Sequence, residues 1–194
     1  MSRPALLIID MQHDFVDPSG PVPCEGATQI VPKIRQLIAE AHDAGIPCIF
    51  TQEVHRAQKV DFGRELDGDE PLHCVEGSIG ARIVEELVPT DLDYVVTKRR
   101  YSGFFGTDLQ VLLSGLNVDT LYITGAATDV CVYLTAMDAH QFDFRVKVLE
   151  DCVAGTSKDA HRAALAAIEH LQKGAVVTLN RALEDFRKEN DRRS

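Results

Sequence analysis

The sequence lacks the features that mark several classes of protein. None of its 194 residues is tryptophan, and no stretch reaches the roughly 18 consecutive apolar residues of a membrane-spanning helix. The apolar stretch near its start has only five residues and ends at Asp10, so we expect no signal peptide. No two of the five cysteines have Cys-x-x-Cys spacing, which favours a reduced, cytoplasmic protein without a cysteine-bound structural zinc.

Positive charge is also scarce. Lysine and arginine total 20 against 30 aspartates and glutamates, which gives a net charge of −10 at pH 7. Nucleic acids and anionic membranes attract positively charged surfaces, so we expect neither as a partner. Hydrophobic residues make up 45% and charged residues 26%, as is usual for a water-soluble globular protein. The length is sufficient for a sizeable core, and we expect a single domain over residues 1–194.

Short apolar strands alternate with amphipathic helices along the chain. Runs such as ALLIID and TLYIT are typical of strands that are buried on both faces of a sheet. The pattern predicts strands over 5–10, 46–52, 93–98, 119–125, 144–152 and 175–179. It predicts helices over 29–45, 80–88, 107–117 (with Thr107 as N-cap), 129–141 and 157–173, a charged tail over 181–194 that is either helical or frayed, and a long functional loop over 53–78. The alternation predicts an α/β fold with an open parallel sheet of six strands between two layers of helices.

Three reactive side chains fall where predicted strands end. Asp10 ends the first strand, Lys98 ends the third, and Cys131 follows the fourth at a predicted helix start. Ligands bind at the carboxyl ends of strands in such sheets, so these groups are expected to converge on one edge. The helix N-terminus and the Lys98 ammonium would lower the pKa of the Cys131 thiol, and Asp10 could take its proton. Backbone N–H groups of Ala127 and Cys131 could stabilise an oxyanion.

Each of these residues also has an ordinary structural interpretation. A cysteine is more often a small buried hydrophobe than a nucleophile. Asp10 could be a turn or capping residue, and Lys98, which precedes Arg99 and Arg100, could belong to a solvated basic edge. The spacing of the residues alone does not decide between the two interpretations.

Three longer segments resemble the isochorismatase-like cysteine hydrolase family. They are ALLIIDMQHDF, VVTKRRYSGFFGTDL and TLYITGAATDVCVYLTAMDAHQFDFRVKVLEDCVAG, which occur in the family's order, and the resemblance extends over nearly the whole chain. The resemblance implies a Rossmann-like three-layer sandwich with a six-stranded parallel sheet. It also implies a catalytic triad at Asp10, Lys98 and Cys131, and a non-proline cis peptide bond at Ala126–Ala127.

Within the family, the retained cysteine makes the chain look like the amidohydrolase branch, which includes N-carbamoylsarcosine and ureide amidohydrolases. The resemblance then implies a hydrolase that cleaves a non-peptide C–N bond of a small amide, carbamoyl or ureide compound through a thioester on Cys131. The alternatives are a nicotinamidase with a bound metal, an isochorismatase-type hydrolase, and a catalytically inactive relative that binds a small ligand.

The resemblance also suggests residues that bind a cofactor, a substrate or a partner. No cofactor is required by the thioester mechanism, and we expect no metal, although Glu53, His55 and His73 could hold a divalent ion as in nicotinamidases. Relatives are usually homo-oligomers, dimers or tetramers, which we expect here too. The candidate substrate-binding residues are Phe15, Tyr101 and Phe105, which could form pocket walls, and Arg56, Arg99 and Arg100, which could bind a substrate carboxylate.

Overall fold

The computed structural model describes residues 2–68 and 70–193, and its sheet has six strands. The strands are β1 (Pro4–Ile9), β2 (Cys48–Glu53), β3 (Tyr94–Lys98), β4 (Thr120–Ala126), β5 (Arg145–Ala154) and β6 (Val176–Val177). The helices are α1 (His13–Val16), α2 (Ala27–Asp43), α3 (Leu109–Gly115), α4 (Tyr133–Gln141), α5 (Lys158–Leu171) and α6 (Leu179–Arg193). No helix among these residues is long and apolar enough to cross a membrane.

The strand order is β3-β2-β1-β4-β5-β6, and every neighbouring pair is parallel. This arrangement confirms the predicted open parallel sheet. The chain builds one half of the sheet outward from β1 and then returns to place β4 on the other side of β1. A crevice opens at the carboxyl ends of β1 and β4, where the connections leave in opposite directions.

The two faces of the sheet explain why its strands are continuously apolar. Along β1, Leu6 and Ile8 belong to a core completed by side chains of α2 and α6. Ala5, Leu7 and Ile9 belong to a second core with side chains of α3, α4 and α5. Side chains alternate across a strand, so a strand covered on both faces needs apolar residues at every position. The result is a three-layer α/β sandwich.

The helix predicted over 80–88 is wrong. Only Glu85–Leu87 form a single 3₁₀ turn; residues 80–82 form a turn and a bend, and Ile83 pairs in a single bridge with Gln12 in the chain that follows β1. The Asp14 N–H donates to the Gly80 carbonyl at 3.1 Å, and the Gln12 side chain donates to the Ala81 carbonyl at 2.9 Å. These long-range hydrogen bonds replace the helical ones, so tertiary contacts override the apolar spacing.

The remaining differences concern the ends of elements. Helix α3 begins at Leu109 rather than Thr107, although the Thr107 hydroxyl accepts the Leu109 N–H at 3.2 Å. The sixth strand shortens to two residues, and the charged tail is helical through Arg193. Between β4 and α4 the chain forms a π-helical turn over Thr128–Val132, which the sequence pattern did not predict.

Candidate active site

The structure brings Asp10, Lys98 and Cys131 together at the crevice between β1 and β4. The Lys98 ammonium lies 2.7 Å from Asp10 Oδ2 and 3.6 Å from Cys131 Sγ. All three residues are buried. Asp10 follows the last residue of β1 with φ of 46°, a left-handed conformation that directs the chain out of the strand. Parallel strand ends therefore bring a carboxylate, an ammonium and a thiol into one cluster.

Thr51 fixes the orientation of Asp10, and the sequence analysis did not identify it. Its hydroxyl donates to Asp10 Oδ1 at 2.7 Å, and it accepts the backbone N–H of Asp10 at 3.2 Å. Thr51 lies on β2, the strand that pairs with β1. One feature of the sequence could have identified Thr51. It lies two residues before Glu53, a candidate metal ligand in the same strand.

Glu53 is a second carboxylate in contact with Lys98. Its Oε2 atom lies 2.6 Å from the ammonium and accepts from Cys131 Sγ at 3.8 Å. Glu53 and Lys98 are register partners on β2 and β3, so the pairing of the strands brings them together. The sequence analysis gave Glu53 only as a metal ligand, and the structure adds this contact with the lysine and the thiol.

Burial and charge set the protonation of this cluster. Burial raises the pKa of the Cys131 thiol well above its usual value, Lys98 lowers it less, and Asp10 and Glu53 raise it further. The expected lowering of the thiol pKa is therefore wrong, because desolvation outweighs the ammonium. Burial opposes the charge of Lys98, but Asp10, Cys131 and Glu53 hold its pKa well above normal. Burial also raises the pKa of Asp10, so Asp10 is a stronger base than an ordinary aspartate.

A small pocket with a cavity volume of about 50 Å³ lies against the thiol and opens to solvent. Phe15 and Tyr101 line it, as the sequence predicted. Phe105 lies outside it, 66% exposed, in a neighbouring surface depression. Arg56 is also outside the pocket wall, and its guanidinium pairs with Asp61 at 2.7 Å. The placements of Phe105 and Arg56 in the pocket were wrong: the Asp61 carboxylate binds Arg56 within the 54–61 loop, and the connection between β3 and α3 leaves Phe105 exposed outside the pocket.

The backbone next to the thiol has the conformation that the family resemblance implies. A non-proline cis peptide bond joins Ala126 and Ala127, and Ala127 lines the pocket together with Cys131. Gly125 precedes this bond with φ of 112°, and a Cβ there would lie 2.0 Å from the Ile9 carbonyl oxygen. Only glycine lets β4 approach β1 this closely, so Gly125 sets the position of the chain that carries Cys131.

A second cluster of buried polar groups adjoins the first through Glu53. His55 Nε2 and His73 Nε2 lie 3.3 and 3.1 Å from Glu53 Oε1, and 3.5 and 3.9 Å from Glu65 Oε2. One ligand atom from each of the four residues lies within 4.8 Å of the others. Both oxygens of the buried Glu65 carboxylate lack a hydrogen-bond partner in the described structure. Two imidazoles and two carboxylates fit a divalent metal such as zinc, and a cation would satisfy the Glu65 oxygens.

Glu65 was missed because only tertiary structure brings it into the cluster. The 3₁₀ helix Gly63–Asp67 presents its side chain to the histidines, and nothing in the local sequence distinguishes it from other acidic loop residues. The 53–78 segment thus supplies all four residues of the cluster, and a function of this loop stays a prediction.

The fold and this site define a class: an α/β protein with an all-parallel six-stranded sheet and with a thiol, an ammonium and a carboxylate at its switch point. Residues 4–182 match the isochorismatase domain, and the chain belongs to the isochorismatase family, whose members are hydrolases. It is 32% identical to maleamate amidohydrolase of Pseudomonas putida over 95% of this chain and 87% of that one. It is 33% identical to the probable inactive nicotinamidase of Arabidopsis thaliana, over 82% and 84% of the two chains.

A solved structure supports the same assignment. The pyrazinamidase of Pyrococcus horikoshii in complex with zinc superposes with a TM-score of 0.82 and 33% identity, over 91% of this chain and 99% of that chain. That pyrazinamidase is a zinc complex, while the Arabidopsis relative is named as an inactive nicotinamidase. The family membership and the hydrolase class are therefore established, and the substrate is a separate question.

Proposed function

We propose that the protein is a cysteine-dependent amidohydrolase that cleaves the C–N bond of a small amide, carbamoyl or ureide compound. The contact of the Lys98 ammonium with both Asp10 and Cys131, beside a small pocket, carries this proposal. The pocket is too small for a peptide chain but accommodates a compound of few heavy atoms. Similarity to maleamate amidohydrolase supports the same type of reaction.

The first half of the reaction transfers the acyl group to the thiol. Asp10 takes the Sγ proton of Cys131, and the thiolate attacks the carbonyl carbon of the amide. Lys98 stabilises the thiolate, and the N–H groups of Ala127 and Cys131 stabilise the oxyanion. Asp10 then returns the proton to the amide nitrogen, the C–N bond breaks, and ammonia or an amine leaves a thioester on the enzyme.

The second half of the reaction releases the acid. Asp10 takes a proton from a water molecule, and the resulting nucleophile attacks the thioester carbonyl. The carbon–sulfur bond breaks, the thiolate of Cys131 leaves, and the proton on Asp10 returns to sulfur. Atoms and charges balance with water as the single co-substrate, and the raised pKa of Asp10 suits a group that accepts and returns protons at neutral pH.

A divalent metal fits the second cluster, and its binding is also a proposal. Glu53, His55, Glu65 and His73 would hold it, and the ion would supply a Lewis acid at the edge of the pocket that Glu53 and His73 line. This cluster favours a second candidate, a nicotinamidase-type enzyme acting on an aromatic amide. Metal analysis after dialysis with zinc, in the wild type and in His73→Ala, tests the site. We expect near-stoichiometric zinc that His73→Ala loses.

Ammonia release from a panel of small amides and ureides tests the reaction. We expect turnover of at least one compound, and a quenched reaction should carry an acyl adduct that peptide mass spectrometry assigns to Cys131. Cys131→Ala should lose both signals. Cys152→Ala is the matched control, because Cys152 is an equally buried thiol on β5 outside the pocket.

Three results would contradict the proposal. Persistent ammonia release by Cys131→Ala would exclude the thiol as nucleophile. A wild type that binds panel compounds but neither turns them over nor forms an adduct would favour the inactive ligand-binding protein. Turnover of a vinyl ether instead of amides would favour the isochorismatase-type alternative.

A further inference from the structure

Apart from the metal proposed above, the pocket beside Cys131 offers a ligand carboxylates but no free cationic side chain. Its lining includes the acids Glu53 and Glu70 and a single basic side chain, His73, among the residues that the structure describes. Both ring nitrogens of His73 are already engaged, Nε2 with Glu53 Oε1 at 3.1 Å and Nδ1 with the Pro71 carbonyl at 2.9 Å. The Lys98 ammonium lies between two carboxylates of its own and is not part of the pocket wall.

The three arginines that could recognise a substrate carboxylate bind the protein itself. The Arg56 guanidinium pairs with Asp61 at 2.7 Å. Arg99 donates to the Val54 carbonyl and lies 3.7 Å from the Asp61 carboxylate. Arg100 donates to the backbone carbonyls of Asp61 and Arg99. These guanidinium groups therefore bind the 54–61 loop, and none of the three arginines lines the pocket.

Glu70 is the pocket carboxylate that is left for a ligand. Its side chain is exposed at the pocket and forms no hydrogen bond or ion pair with any other described residue. Glu53 differs, since Lys98 and the two histidines engage it. Tyr101 lies on the same pocket wall and is affected by the negative charges there. Burial is the largest factor that raises the pKa of Tyr101, and the charges of Glu65 and Glu70 raise it further.

We propose that Glu70 is a specificity-determining residue that makes the pocket select amides with an uncharged or cationic tail over amides that carry a carboxylate. The proposal rests on the amidohydrolase function and names its substrate class. A carboxylate tail would meet the like charge of Glu70 with no guanidinium or ammonium to bind it, while an ammonium tail would gain an ion pair. The chain would then differ from its relative named for maleamate, a substrate that bears a carboxylate.

Alkylation of Cys131 by iodoacetate and iodoacetamide tests this selection without any substrate. The two reagents are similar in size and attack the same thiolate, so the ratio of their rates isolates the effect of the negative charge. We expect this ratio at Cys131 to be about tenfold below that of N-acetylcysteine. Glu70→Gln should raise it about threefold, and Glu70→Lys should raise it further.

Glu184→Gln is the matched control, since it removes one negative charge from an exposed position on α6, outside the pocket. It should leave the ratio unchanged. Because Glu70 is exposed and unbonded, its variants should keep the wild-type thermal unfolding midpoint. A ratio that Glu70→Gln does not move, or that Glu184→Gln moves equally, would overturn the proposal.

Three propionamides that differ only at carbon 3 extend the test to turnover: butyramide, 3-aminopropanamide and succinamate. We expect the lowest kcat/KM for succinamate, and a relative gain for succinamate in Glu70→Gln. If these and other amides are not hydrolysed while the alkylation ratio still depends on Glu70, the amidohydrolase function fails and the charge selection of the pocket stands. If amides are hydrolysed in an order that Glu70→Gln leaves unchanged, the charge selection fails alone.

Discussion

Replacing Lys98 by methionine should destabilise the protein strongly and in a pH-dependent way. The ammonium lies 2.7 Å from Asp10 and 2.6 Å from Glu53, and all three side chains are at most 1% exposed. Methionine keeps the apolar stem and most of the volume, so packing changes little. The variant leaves two buried carboxylates close together without the cation that compensates them.

The expected loss follows from the burial of this pair. Removing one partner of a buried ion pair costs about 3–5 kcal/mol, because an uncompensated charge stays in the interior. In the wild type, burial raises the pKa of Glu53, but Lys98 and the histidines hold it well below 4.5. Glu53 therefore contributes stability above pH 4.5, and this contribution is lost as the pH falls through its folded-state pKa. In Lys98→Met both carboxylates take up protons more readily. The difference in unfolding free energy between the wild type and this variant should therefore shrink as the pH falls.

Urea unfolding followed by circular dichroism, between pH 5 and 8 and with EDTA present, measures this deficit. Adding Glu53→Gln to Lys98→Met should restore part of the stability, since it removes one of the two buried carboxylate charges that have lost their compensating cation. Lys158→Met is the control: Lys158 is 78% exposed and pairs with Glu25 at 3.4 Å, so its loss should stay below about 1 kcal/mol. Equal losses in Lys98→Met and Lys158→Met, or a deficit that does not change with pH, would refute the reasoning.

Three further variants test other parts of the structure. Cys131→Ala should lower ammonia release by about 10³-fold or more with an unchanged far-ultraviolet spectrum, and a matching loss of structure would contradict a catalytic role. Thr51→Val should lower kcat about tenfold and the unfolding free energy by about 1–2 kcal/mol, because Asp10 loses its hydroxyl donor. Burial alone would raise the pKa of Asp93, but hydrogen bonds from Thr90 and His42 lower it below 3.8. Asp93→Asn should therefore cost stability at pH 7 and converge with the wild type in acid, as urea midpoints would show.

The sequence predicted the sheet well because its central strands carry their own signal. Continuous apolar runs such as Ala5–Ile9 identify strands with two covered faces, and the strand–helix alternation then restricts the sheet to a parallel one. The segment 80–88 failed because its apolar spacing fits a helix while its backbone partners lie near residue 14. Cytoplasmic location, a single domain over 1–194 and a homo-oligomeric assembly stay predictions.

The candidate site also contains residues that the sequence could predict and residues that it could not. Asp10, Lys98 and Cys131 could be found because each follows or ends a parallel strand, and such ends meet at one edge of the sheet. Arg56 was misplaced because a loop decides where its side chain points. Glu65 was missed because only the folded 53–78 segment brings it to the histidines.

The sequence by itself determined the α/β architecture, the family and the three groups at the strand ends, since these depend on periodic patterns and fixed topology. The tertiary structure alone decided the protonation of the cluster, because burial and the second carboxylate, Glu53, raise the thiol pKa that local sequence predicted to fall. It also decided the charge of the pocket, since three arginines near the site turn to Asp61 and the backbone and leave Glu70 facing the ligand space. Desolvation and loop contacts depend on many residues that are distant from one another in the sequence, so no local sequence pattern predicts them.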